Sequence, residues 1–256
     1  MAIIAKSDLA QFGYWSKLGY LDIVSRYRRT VLGPLWISMV NGFTIFAIGV
    51  VYGSLFRLPL AEYFPFIVTG YIFWLWISST VLEMSSALVS YRFIVHNIPV
   101  HPVSVLVRVF VRNTIVLMHN VPIILIVLLY FGVFPGWEII WLIPGLFVAS
   151  IFIFFGSGSI AFISARFHDF QLLTTAVVGV LFLVTPIIWS PDILVERAYI
   201  ATFNPLTHIV EILRQPFLGA GPSELNYAVS LGLSVLAAAV FVLSLRISRY
   251  RYLFWI

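Results

Sequence analysis

Six stretches of this chain, each about 20 residues long and nearly free of charge, restrict it to one kind of surrounding. A helix rises about 1.5 Å per residue, so roughly 20 apolar residues cross the ~30 Å hydrocarbon core of a bilayer. Residues 35–56, 64–88, 113–134, 139–164, 170–189 and 227–246 meet that requirement. Only 10% of the residues are charged, against about 25% in an ordinary soluble domain. No long polar block separates the six stretches. The expectation is an all-α membrane protein with six transmembrane helices, forming a single domain over 1–256. Helices suit this setting because they satisfy their own backbone hydrogen bonds where no water can.

Basic residues then orient the chain. With six spans both termini share a side. That side holds Lys6, Lys17, Arg26, Arg28, Arg29, Arg92, Arg108, Arg112, Arg166, Arg246, Arg249 and Arg251; the other holds Arg57, Arg197 and Arg214. The positive-inside bias places both termini in the cytoplasm. The opening "MAIIAKSDLAQFGYW" lacks the apolar core and small-residue cleavage site of a signal peptide, which fits the same orientation. The net charge of +5 is explained by this bias and by anionic membrane lipids, so no nucleic-acid partner is expected. With no cysteine, disulfides, thiolate nucleophiles and cysteine metal sites are excluded.

Two segments depart from a plain bundle. In residues 7–29, Leu9, Phe12, Ser16, Tyr20, Ile23, Val24 and Tyr27 recur on one helical face, with Gln11, Asp22, Arg26 and Arg29 roughly opposite. This pattern predicts an amphipathic interface helix, although Trp15 and Leu18 interrupt its polar face. The alternative is a cytoplasmic helix packed on its own protein. Residues 190–226 are semi-apolar and are cut by Pro191, Asn204-Pro205, Pro216 and the Gly219–Pro222 turn. The pieces are too short to span, and predict re-entrant helices in the outer mouth of a channel. A lipid-facing ornament is the alternative.

Catalytic signals are sparse. There is no GxxxxGK[ST], hence no P-loop for ATP, and no HExxH. Five histidines show no metal spacing within one helix, so no metal site is expected. Glu83 is an acid inside a span, which is costly unless paired. It lies at the depth where Arg108 and Arg112 open the next span. A buried ion pair between Glu83 and Arg112 is the favoured role; a proton path lacks a relay. Aromatic residues crowd the first two spans. Phe43, Phe46, Phe73 and Trp76 lie deeper than an interfacial belt requires, and flat rings can slide along sugar faces; packing or lipid contact is the alternative. Ser157, Ala161 and Ala165 stand at small-xxx-small spacing, which supports close helix contact within the chain or between two copies. The stretch "SYRFIVHNIPVHPVS" (90–104) sets Ile94, Val95, Ile98 and Val100 among Arg92, His96 and His101. A short helix ended by Pro99 and Pro102 would offer an apolar knob to a cytoplasmic partner, or rest on the membrane surface. Arg26, Arg28 and Arg29 stand where the interface helix meets the first span.

Three motifs carry a resemblance. "RYRRTVLGPLW" sets Arg26, Tyr27 and Arg28 before Leu32, Gly33, Leu35 and Trp36. "ARFHDF" and "VTPIIW" supply Arg166, Asp169, Thr185, Pro186 and Ile187. "NPLTHIVEILRQPFL" supplies Asn204, Pro205 and Arg214. In this order, over nearly the whole chain, they resemble the type 2 ABC exporter permeases, the polysaccharide and O-antigen export branch. One departure is His168, where many members carry Arg or another polar residue. The resemblance implies a homodimer joined by two copies of a separate ATPase subunit that binds ATP and Mg, so this chain would need no cofactor and would not itself be an enzyme. It implies that the 90–102 segment, with Tyr91, Arg92, Ile94, His96, Ile98 and Pro99, is the coupling helix. It implies that Pro186, Asn204, Pro205 and Arg214 belong to the outer gate. The cargo would be a lipid-linked polysaccharide moved across the cytoplasmic (inner) membrane of a bacterium. A diphosphate anchor would then meet Arg26, Arg28 and Arg29 through charge-assisted bonds; ordinary lipid contact is the alternative. Capsule, teichoic acid, drug or lipid export remain open, as does an integral membrane glycosyl- or phosphotransferase, although no carboxylate cluster supports it.

Overall fold

The computed structural model describes residues 6–28, 30, 32–33, 35–97, 101–191, 199–221, 223–248, 251–252 and 255, and every regular element among them is helical. In chain order these are α1 (Lys6–Tyr27), α2 (Leu35–Phe56), α3 (Leu60–Ser90), α4 (Arg92–Asn97), α5 (Pro102–Phe131), a 3₁₀ turn (Trp137–Trp141), α6 (Leu142–Arg166), α7 (Asp169–Val184), α8 (Tyr199–Phe203), α9 (Pro205–Arg214), a second 3₁₀ turn (Gln215–Leu218) and α10 (Glu224–Ser248). Five segments are long and apolar enough to cross a membrane: α2, α3, α5, the first 3₁₀ turn with α6, and α10. The chain is a multi-pass membrane protein.

Two boundaries differ from the sequence expectation. The fifth predicted span, 170–189, is the 16-residue helix α7, about 24 Å long. It stops at Val184 because Pro186 disfavours helical geometry at Thr185, which is extended with ψ 136°. The third predicted span begins 11 residues early, at Pro102, with His101 capping it by accepting from the Val103 N–H. Arg108 and Arg112 interrupt the apolar pattern, so hydropathy hides these first three turns.

Helix α3 is the centre of the fold. It packs on α2, α5, α6, α7 and α9, and its Ile67, Val68, Ile72, Met84 and Leu88 are almost wholly buried. Helices α6 and α10 form another close pair. Gly158 lets the Phe241 ring approach so nearly that an added Cβ would lie 2.5 Å from it. Ser157, Ala161 and Ala165 are buried on this part of α6, so the small residues serve packing within the chain. At the other end of the pair, Ser234 donates to the Val148 carbonyl at 3.0 Å.

Helix α1 docks on α5 by a face other than the predicted one. Trp15 and Ile23 are buried, Leu18 is partly buried, and Tyr20 and Val24 are exposed. Trp15 and Leu18, which broke the predicted polar face, pack, as does Ile23 of the predicted apolar face. The reason lies in Gly19 and Asp22. Gly19 brings α1 so close to α5 that a Cβ would lie 2.7 Å from the Arg108 carbonyl oxygen. Asp22 turns inward because a pair of arginines faces it.

Candidate functional site

The arginines of α5 collect acids from two other helices. Arg108 donates through Nε and Nη2 to Asp22 of α1, at 2.7 and 2.6 Å. Its guanidinium also lies 4.8 Å from the Tyr91 ring and 5.9 Å from Trp15. One turn further, Arg112 Nη2 donates to Glu83 Oε2 of α3 at 2.6 Å, while its Nη1 stands 3.6 Å from Asp22. Asn113 donates to the same Glu83 oxygen at 2.6 Å. The structure thus brings Glu83 and Arg112 together, with the Glu83 side chain one-third exposed. Sequence reasoning placed Arg108 and Arg112 at the depth of Glu83 but missed Asp22, an acid it had assigned to the opposite, outward face.

A second polar node gathers residues far apart in the chain. Asn204 caps α9 by accepting from the Leu206 N–H at 3.0 Å, with Pro205 at the first helical position. Its amide also donates to the Thr185 hydroxyl at 2.9 Å. Arg214, at the other end of α9, is fully buried. It donates to the Pro186 carbonyl at 2.6 Å and to Glu211 Oε1 at 2.7 Å, and lies over the Phe66 ring at 3.9 Å. Burial pulls the guanidinium below its ordinary pKa, and Glu211 pushes it back up. Gly70 of α3 leaves room for it: a side chain there would collide with Nη2. The structure therefore brings Pro186, Asn204, Pro205 and Arg214 into one neighbourhood. It also shows that α9 lies inside the protein, with Ile209, Val210, Ile212 and Leu213 wholly buried; residues 192–198 of the predicted gate segment lie outside the described residues.

Other predicted residues are more scattered. Phe43 and Phe46 are 68% and 62% exposed on α2, whereas Phe73 and Trp76 are 2% and 3% exposed, because α3 is enclosed by α5, α6 and α9. The four rings do not share a surface in this chain. Tyr91 ends α3, and Arg92, Phe93 and Ile94 begin α4, with Phe93 77% exposed. His96 lies on α4, but its side chain, Ile98 and Pro99 are outside the described residues. Arg28 is exposed in the turn after α1; Arg29 and the side chain of Arg26 are likewise outside the described residues. The turn itself requires Gly33, whose φ of +57° favours a residue without a Cβ. Among the described residues no group of three His, Asp or Glu could hold a metal.

Asn41 and Asn120 had drawn no functional reading. Asn41 of α2 donates to Asn120 of α5 at 3.1 Å, and Ser38 donates to the His119 carbonyl at 2.6 Å. Lone amides inside apolar spans are the signal that could have found them.

The helices, the polar nodes and the apolar exterior describe a multi-pass membrane protein, and comparison with known families defines its class. The model for the family described as ABC-2 type transporter matches residues 18–218; the chain belongs to that family. Two relatives from Klebsiella pneumoniae bear the name O-antigen export system permease protein RfbA. One is 26% identical over 213 residues, covering 80% of this chain and 79% of its own. The other is 26% identical over 231 residues, covering 88% and 85%. A protein of the same name from Myxococcus xanthus is 23% identical over 233 residues, covering 86% and 88%.

Proposed function

We propose that this chain is the channel-forming permease subunit of an ATP-driven exporter that carries a lipid-linked polysaccharide, O-antigen foremost, across the cytoplasmic membrane of a bacterium. The observation that carries the reading is similarity along nearly the full length to three proteins named O-antigen export permease. The chain contributes no P-loop, so ATP and Mg belong to a separate ATPase subunit, present in two copies beside a homodimer of this chain. Both termini are cytoplasmic, which puts α4 and its exposed Phe93 on the ATPase side as the coupling helix. Arg26, Arg28 and Arg29 are the residues that would meet a charged lipid anchor. Aromatic side chains exposed on α2, such as Phe43 and Phe46, are the wall offered to the glycan. Export of capsule, teichoic acid, or a drug or lipid uses the same machine and differs only in cargo.

Purification in mild detergent, followed by an ATPase assay of what accompanies the chain, tests the class. A stoichiometric P-loop ATPase is expected; a folded chain with no such partner overturns the proposal. Loss of surface polysaccharide on deletion, restored by the parent chain, tests the cargo.

A further inference from the structure

A half-open cavity of about 230 Å³ lies between α1, α2, α3 and α5 of one protomer. Filled with liquid water at ~30 Å³ per molecule, it would hold seven or eight. Its polar lining comes from Asn41, Ser79, Glu83, Arg112, Asn113 and Asn120. Arg112 and Asn120 stand eight residues apart on α5, about 12 Å along the axis. The cavity is therefore elongated, running from the ion pair at one end to the paired amides at the other. Between these groups the wall is hydrocarbon, with Ile23 of α1 and Ile37 of α2 closing one side.

The charges decide what could bind. Glu83 and Arg112 neutralise each other at 2.6 Å, and Asp22 stands 3.6 Å from the same guanidinium. An anion entering here would meet one cation already shared by two carboxylates. A cation would meet the guanidinium. An apolar molecule would strip water from half-buried Asn41 and from the Glu83 and Arg112 side chains, which keep 33% and 14% of their surface open; each such loss costs about 1–3 kcal/mol. A small neutral molecule with donors and acceptors around its edge and C–H groups on its faces suits every part of the lining.

We infer that this cavity is a binding site for a single neutral sugar ring, with Asn41, Asn120, Glu83 and Arg112 addressing its hydroxyl groups. The inference rests on the polysaccharide reading above and adds to it a monosaccharide subsite within each protomer, separate from any pore between two copies.

The absence of native cysteine permits a direct test. Ser79→Cys places one thiol on the cavity wall, and its reaction with neutral methyl methanethiosulfonate is followed in the purified complex. The probes are methyl glycosides of galactose, mannose, rhamnose and N-acetylglucosamine, up to about 50 mM, enough to fill a site of millimolar Kd. At least one glycoside should slow labelling at least fivefold in a saturable way, and leave Val51→Cys, on the exposed face of α2, unaffected. Asn120→Leu in the Ser79→Cys background should abolish the protection while the complex still elutes as a single species. Labelling unaffected by every glycoside means a hydrated cavity only and overturns the inference. So does a thiol that never reacts, or protection that survives Asn120→Leu. Surface polysaccharide in the same strains separates the two levels: export without protection sinks the sugar site alone, whereas failure of the parent chain to restore polysaccharide sinks the cargo reading.

Discussion

Arg214→Met puts a number on the node that joins α9 to the end of α7. The methionine matches much of the arginine's length but removes the bonds to Glu211 and to the Pro186 carbonyl, at 2.7 and 2.6 Å. Removing one partner of a buried ion pair costs about 3–5 kcal/mol, because the other charge is left behind. Glu211 is not stranded entirely: Gln215 donates to its second oxygen at 2.9 Å and its side chain is 12% exposed. The lower end, about 3 kcal/mol, is therefore expected. For a chain of this size each kcal/mol moves Tm by about 2–4 °C, so the variant should melt about 6–12 °C below the parent in detergent. Because such unfolding is often irreversible, half-lives at one temperature should accompany the melts. Gly70 supplies an internal control. An alanine there would collide with Nη2 of Arg214, so Gly70→Ala should destabilise the parent but cost much less in the Arg214→Met background. Contacting residues typically show such coupling, at about 0.5–3 kcal/mol. A melt for Arg214→Met within about 1 °C of the parent would refute the reasoning, as would an equal cost of Gly70→Ala in both backgrounds.

Further outcomes follow from the other contacts. Gly19→Ala ought to stabilise an isolated helix by about 1 kcal/mol; here its Cβ would lie 2.7 Å from the Arg108 carbonyl, so α1 should loosen and trypsin should cut faster at Lys17. Glu83→Gln weakens the charge-assisted bonds from Arg112 and Asn113 and should cost about 1–3 kcal/mol of stability, read as a shorter thermal half-life. Asn204→Ala loses the α9 cap and the bond to Thr185 and should cost about 1–2 kcal/mol; Asn204→Asp keeps the cap and should fall between. Phe93→Ala, at an exposed site on α4, should leave melting unchanged and reduce the amount of ATPase that co-purifies.

Hydropathy shows where apolar helices lie because lipid imposes a length on them, and five long segments emerge close to where they were expected. It does not show how the helices face one another. Asp22 reads as an outward acid on α1 until the positions of Arg108 and Arg112 are known, since the partners are about 86 and 90 residues away. Trp15 and Leu18 look misplaced for the same reason: a helical wheel averages over one helix, and Gly19 sets the docking angle against another. The Glu83–Arg112 pair was legible because a lone acid in a span needs a cation at its own depth, and only two were available. The cavity was not legible. Its polar groups come from three helices, and each alone resembles a packing polar group.

The short helix α7 and the polar node on α9 are two sides of one constraint. A chain in lipid cannot leave backbone carbonyls unmet, so a helix that stops early needs side chains to take over. Pro186 stops α7 after Val184, and the residues that follow, Thr185 to Ile188, are buried. Three of their carbonyls find substitute donors. The Ile187 N–H returns to the Thr185 carbonyl at 2.7 Å. Arg214 serves the Pro186 carbonyl, the Tyr63 hydroxyl donates to the Ile188 carbonyl, and Asn204 serves the Thr185 hydroxyl. The Thr-Pro-Ile element and the Asn-Pro segment with its downstream arginine, separate motifs along the chain, are thus one structural device. The first breaks the helix. The second, carried on α9, supplies the hydrogen bonds that make the break tolerable inside the membrane domain. A change to either half should therefore be felt at the other, which is why the Arg214 and Asn204 variants belong in the same thermal series.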